Sequence, residues 1–170
     1  MKSILKISNL TKAFGGVVSL DNVSIDINKN GIVGLLGPNG SGKTTLIKII
    51  AGLIGGYKGD VLINSMRVGV ESKKLVSYLP DMDVIPSWWR VERAIDFFSD
   101  FFSDFDKVKS LSIINDFKIP ISSKFRELSK GTREKVQLSL YLSRRAKLHI
   151  FDEPIAGVDP IARDVIFKLI

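Results

Sequence analysis

Twelve residues, Gly34 to Thr45 in the order GLLGPNGSGKTT, limit what this chain can fold into more than any others. Within them Gly37 to Thr44 fit the pattern G-x-x-x-x-G-K-[ST]. An apolar run, Ile32 to Leu36, precedes the pattern and reads as a strand, and Lys43 to Leu53 reads as a helix. Glycines at 37, 40 and 42 let successive backbone N–H groups turn inward around phosphate oxygens, at the positive end of the helix dipole. Lys43 adds a point charge for the β and γ phosphates, and the Thr44 hydroxyl is a hard oxygen ligand for magnesium. The plain alternative is a glycine-rich turn before a helix, and the strand, loop, helix context argues against it.

A strand feeding a phosphate loop belongs in an α/β fold, and the remaining pattern agrees. Short apolar runs at Ile4 to Ile7, Val23 to Ile27, Val61 to Asn64, Leu75 to Leu79 and Leu148 to Phe151 read as strands, the last of them buried. Helical stretches fall between them: Val91 to Phe105, a short one near Lys109 to Phe117, one from about Thr132 to Ser143, and one opening at Pro160. Strands alternating with helices predict a largely parallel sheet. At 170 residues the chain is one domain by length and needs no staple, and it has no cysteine to suggest an oxidising compartment. Met1 is not followed by the basic, apolar and small-residue pattern of a signal peptide, and no run approaches the ~18 apolar residues of a membrane span.

The formal charge of +7 is concentrated between residues 130 and 147, with six basic residues against one Glu. Lys130, Arg133, Lys135, Arg144, Arg145 and Lys147 have no interleaved aromatic pair for base stacking, so a solvated helix face is the reading and no nucleic acid is expected. The segment DFFSDFFSDFD at 96 to 106 places Phe97, Phe101 and Phe105 at i, i+4 and i+8, with Phe98 and Phe102 beside them, which predicts one broad apolar stripe on a helix. Trp88 and Trp89 stand upstream. Core packing is the first explanation for so many aromatics, and a protein docking face is the sharper one.

Two further motifs carry chemistry. LHIFDEP at 148 to 154 is an apolar run ending in two carboxylates, Asp152 and Glu153, which a parallel sheet delivers at the carboxyl end of a strand, where ligands of such folds bind. Asp152 suits magnesium, and Glu153 suits a water to be oriented or deprotonated. His149, the single histidine, lies inside that run and reads as a satisfied core residue. LSKGT at 128 to 132 puts a Ser and a Gly at the start of a helix.

Together, GPNGSGKTT (37–45), LSKGT (128–132), LHIFDEP (148–154) and AGVDP (156–160) have the order and spacing of an ATP-binding cassette (ABC) ATPase, and the chain resembles that family over essentially its whole length. The resemblance implies a P-loop NTPase fold: a RecA-like parallel sheet core, a small N-terminal antiparallel β region, and a helical subdomain. It implies core segments 1–81 and 146–170 and a helical subdomain at about 82–145. By the same resemblance Phe14 stacks on adenine. Gly37, Pro38, Asn39, Gly40, Ser41, Gly42, Lys43, Thr44 and Thr45 hold the phosphates. Asp152 belongs to the magnesium site with Thr44, Glu153 is the catalytic base, and Asp159 communicates with a second cassette. Ser129 and Gly131 face the γ-phosphate held by that second cassette, so each signature is half of a site.

Three positions depart from the family pattern. Asp81 stands where the family has a Gln that touches magnesium and the attacking water; a carboxylate is an adequate hard ligand but lacks the amide donor. Lys130 replaces a Gly and Thr132 a Gln. The switch histidine found roughly thirty residues beyond the carboxylate pair has no counterpart before Ile170, and the last helix lacks a stop signal, so a chain truncated at its C-terminus, and poorly active, is expected. The implied function is an ATP- and magnesium-dependent motor subunit. It dimerises with a second cassette and drives a separate transmembrane permease from the cytoplasmic face of the membrane. YLPDMDVIPSWWRVERAIDFFSDFF (78–102) is similar to the cassettes of bacterial exporters. A soluble ABC protein of ribosomes or DNA is a second reading. A P-loop kinase or GTPase is a third, which leaves the signature unexplained.

Overall fold

The computed structural model describes residues 3–28 and 30–152. The chain divides into two compact units, Met1–Ser77 and Tyr78–Ile170.

In the first unit, β1 (Leu5–Phe14), β2 (Val17–Ile27), β3 (Lys58–Ile63) and β4 (Met66–Arg67) form an antiparallel sheet in the order β2-β1-β3-β4. Gly15 and Gly16 join β1 to β2 with φ of 52° and 87°, the left-handed pair that a tight two-residue hairpin turn requires. Asn64 and Ser65 make the same kind of turn between β3 and β4, with φ of 48° and 69°. β1 continues well past the expected Ile7. The pairing shifts register between Ile7 and Leu10, where Asn9 has a φ of 52°, and again on either side of Lys12. Such bulges break the two-residue alternation, so the sequence shows only a fragment of the strand.

Leu5, Ile7, Leu10, Val61 and Ile63 bury one face of this sheet. The helix α1 (Lys43–Ile50) adds Leu46, Ile49 and Ile50, spaced to lie on one face, and it contacts β2. Each fully buried aliphatic side chain here contributes about 1.5 to 3 kcal/mol. A single helical turn, α2 (Val70–Lys73), closes the unit.

The expected strand at Ile32 to Leu36 does not form. Ile32, Val33 and Leu36 are exposed, and no ladder includes them among the described residues. An apolar run becomes a strand only when a neighbour pairs with it, and among the described residues neither the β2-β1-β3-β4 sheet nor its own neighbours in sequence supply one.

In the second unit, α3 (Val91–Phe101), α4 (Lys107–Asp116) and α5 (Lys130–Leu142) pack around Val91, Ala94, Ile95, Phe98, Ile114, Phe125, Val136 and Leu140. β5 (Val76–Leu79), which crosses the division, pairs with β6 (Leu148–Phe151). The Asp152 amide donates to the Leu79 carbonyl at 3.0 Å, so the two carboxyl ends lie together, as in a parallel pair. β6 is half-buried rather than fully buried, because β5 is its single strand neighbour among the described residues.

The aromatic stripe also differs from expectation. α3 stops at Phe101, so Phe105 is not on that helix. Arg144, buried, holds Asp104 through two hydrogen bonds of 2.9 and 3.0 Å and lies 4.0 Å from the Phe102 ring centre. Asp106 then caps α4 by accepting from the Lys109 amide at 2.9 Å. Of the five phenylalanines, Phe98 is fully in the core, while Phe97 and Phe101 stack on each other at the surface with centroids 5.6 Å apart. Core packing therefore holds for one face of α3, and the other face is an exposed aromatic surface.

Candidate functional site

The loop from Gly37 to Thr45 lies in the first unit, between the unpaired apolar run and α1. Gly40 and Gly42 have φ of 79° and 88°, a conformation that L side chains rarely adopt. A Cβ on Gly42 would sit 2.5 Å from the Ser19 carbonyl oxygen, so only glycine lets the loop pass this close to β2. The Lys43 Nζ folds back over the loop and donates to the carbonyls of Gly37 and Pro38, each at 2.8 Å. Gly42 caps α1 without a side-chain bond, which leaves the first-turn amides directed into the loop. Thr44 is exposed, and Thr45 accepts a hydrogen bond from Ser19 Oγ at 3.0 Å. The arrangement is a cationic cradle lined by backbone donors, suited to a phosphate chain.

Phe14 ends β1 at the tip of the hairpin in the same unit and is 47% exposed. Lys12 Nζ lies 4.7 Å from its ring centre.

The second unit holds another group of the expected residues. Ser129 caps α5: its Oγ accepts from the Thr132 amide at 3.2 Å and lies 2.8 Å from Thr132 Oγ1. Lys130 and Gly131 occupy the first turn, where Lys130 Nζ approaches Glu134 Oε1 at 3.8 Å. Asp81, Asp83, Lys130, Arg133, Glu134 and Asp152 line a cavity of about 170 Å³. The lining carries four carboxylates against two cations, a net negative charge, with Asp83 paired to Arg133 and Glu134 approached by Lys130. Tyr78 reports the same field: burial raises its pKa first, and the charges of Asp152 and Asp81 raise it further.

Among the described residues no three acidic or imidazole groups converge to hold a metal by themselves. Magnesium characteristically takes one or two carboxylates and completes its shell with water and substrate oxygens, so the donor set of Asp81 and Asp152 fits it.

No sequence motif marks the residues that fix the Asp81 segment. Asp83 accepts from Arg133 Nε and from Gln137 Nε2, both at 2.9 Å, and the Val84 amide donates to Gln137 Oε1 at 3.0 Å. Arg133 also donates to the Leu128 carbonyl at 3.0 Å. The i, i+4 spacing of Arg133 and Gln137 marks one helix face, but nothing in it names a partner some 50 residues away. His149 is half-buried on β6 and stacked near Phe151; the imidazole has a hydrogen bond with the Tyr141 backbone while its buried Nδ1 has no partner among the described residues, so the satisfaction expected of it is met in part. Burial, then the cations Lys109 and Arg144, lower its pKa. Glu153 and Asp159, and the helix expected at Pro160, lie outside the described residues.

A family model described as ABC transporter matches residues 20–156. The chain belongs to the family of ABC transporter ATP-binding proteins. An uncharacterized ABC transporter ATP-binding protein of Methanocaldococcus jannaschii is 36% identical over 99% of this chain and 64% of its own length. The lipopolysaccharide export system ATP-binding protein LptB of Haemophilus influenzae is 31% identical over 99% of the chain and 74% of its own length. The xylose/arabinose import ATP-binding protein XylG of Sulfolobus acidocaldarius is 33% identical over 99% and 73%. A solved ATP-binding subunit of an ABC transporter superposes with a TM-score of 0.89 at 25% identity, covering 98% of this chain and 73% of that one. The ABC cassette fold inferred from the motifs is therefore established, while the chain spans about two thirds to three quarters of these relatives.

Proposed function

We propose that this chain binds ATP with magnesium and hydrolyses it as the motor subunit of a transporter, paired with a second cassette around two nucleotides. The loop at residues 37–45 carries the reading: glycines in left-handed conformations, a lysine held over the loop, and the amides of α1 directed into it. In this reading the ammonium of Lys43 exchanges the Gly37 and Pro38 carbonyls for phosphate oxygens. The backbone amides of Gly40, Ser41 and Gly42, with Thr45, hold the phosphate chain, and Pro38 and Asn39 shape the loop. Phe14 stacks on the base. Thr44, Asp81 and Asp152 are the residues that would hold magnesium, which would neutralise charge on the phosphates. Glu153 accepts the proton of the attacking water. Ser129 and the Gly131 amide, at the N-terminus of α5, complete the site of the facing cassette.

The subdomain reading goes with it: core segments 1–81 and 146–170, and helices at about 82–145. The exposed Trp88, Phe97 and Phe101 offer a docking face to a transmembrane permease at the cytoplasmic side of the membrane. Among the described residues no helix is long and apolar enough to cross a membrane, which fits a division of labour with such a partner. The likeness of residues 78–102 to exporter cassettes favours export, and the relatives named for export and for import are similarly close.

Equilibrium binding of ATP tests the proposal. Lys43→Ala removes a charged contact to phosphate and is expected to weaken ATP about ten- to hundredfold. Unchanged affinity would overturn the site.

A further inference from the structure

The family pattern leaves Lys12 without a role, yet it is tied down more firmly than an exposed lysine needs to be. Its ammonium donates to two backbone carbonyls, Gly55 at 2.8 Å and Gly56 at 3.0 Å, and lies 4.7 Å from the centre of the Phe14 ring. Lysine has three donors in a compact charge, so two fixed bonds set where that charge sits. The pairing of β1 shifts between Lys12 and Ala13, and across that shift the Lys12 ammonium still lies over the Phe14 ring, so both side chains share one side of the strand. The Gly55-Gly56 segment before β3 is therefore a bracket, and Lys12 spans from it to the ring.

We infer that Lys12 is a positioning residue for base recognition: it covers one face of Phe14, fixes the ring, and leaves the opposite face for a purine. The inference rests on the reading that Phe14 stacks on the nucleotide base. Phe14 keeps 47% of its surface open, so a flat ligand has room to stack. A cation against one face also draws π density toward itself, and the ring then presents an electron-poorer face to an electron-rich purine. The phosphate loop takes no part in this arrangement, so losing Lys12 should spare affinity for a ligand without a base.

The experiment compares ATP with inorganic triphosphate, each with magnesium, by titration calorimetry on the full chain. Lys12→Met keeps the stem and removes the charge, Lys12→Arg keeps the charge, and Phe14→Ala removes the ring. Lys12→Met is expected to weaken ATP about three- to tenfold, with triphosphate unchanged and Lys12→Arg close to the parent. Equal thermal melting of the three variants would show that the fold is intact. If Phe14→Ala weakens ATP while Lys12→Met does not, the inference fails and the base site stands. Equal weakening of ATP and triphosphate by Lys12→Met also overturns it, since the charge would then act on phosphate or on the fold. If Phe14→Ala leaves ATP unaffected, the base reading falls and the inference with it.

Discussion

At the scale of single residues, charge and burial decide what each group can do. His149 shows this outside the phosphate loop. Burial and the cations Lys109 and Arg144 hold its folded pKa below the ordinary 6.5, so the folded state keeps it neutral. As pH falls through 6.5 the unfolded chain takes up the proton first, and stability declines toward the lower, folded pKa. Above 6.5 both states are neutral and the group contributes no slope. His149→Gln should therefore lose less thermal stability than the parent between neutral and mildly acidic pH, and parallel losses in the two melting series would contradict this. The candidate site was most readable at this scale. Gly40 and Gly42 answer to left-handed backbone, and Lys43 reaches carbonyls only five and six residues back, all within a short sequence window. The role of Lys12 depends on a segment more than 40 residues away, and no local window holds it.

At the scale of elements, two polar ties fix segments whose hydrophobic pattern alone would leave them free. Arg144 ends the aromatic stripe by holding Asp104 with side chains 5% and 27% exposed. Asp104→Ala removes two charge-assisted hydrogen bonds from that buried guanidinium, and should lower the free energy of unfolding by about 1.5 to 3 kcal/mol in urea titrations. The second tie joins Asp83 to Arg133 and Gln137. Removing Asp83 strands the Gln137 amide, which is buried, at a cost of about 1 to 3 kcal/mol. In a double-mutant cycle, Asp83→Ala with Gln137→Leu should cost clearly less than the two single losses added together. Additive losses would show that the pair is uncoupled. α1, α4 and α5 were legible in sequence to within a turn, since caps such as Ser129 are local, and the single turn of α2 was not read. The end of α3 was not, because Asp104 is held by an arginine 40 residues later. β1 was legible as a fragment only, because its bulges interrupt the alternation that marks a strand.

At the scale of the whole molecule, the order of motifs located the fold class before any coordinate did, and the family match over residues 20–156 agrees with it. What the motifs could not give is which apolar runs find partners. Ile32 to Leu36 has the composition of a buried strand and stands exposed, since strand formation belongs to a pair and not to a segment. The central proposal belongs to this scale as well. In that proposal the phosphate loop of one cassette and the Ser129 helix start of another would be complementary halves, neither enclosing a triphosphate alone. Sedimentation velocity of Glu153→Gln in the full-length protein, with saturating ATP and magnesium, tests this with the least intervening argument. Blocking proton transfer from the attacking water should hold both nucleotides in place, so an ATP-dependent dimer that dissociates when nucleotide is removed is expected. A variant that binds ATP and still sediments as a monomer would contradict the account.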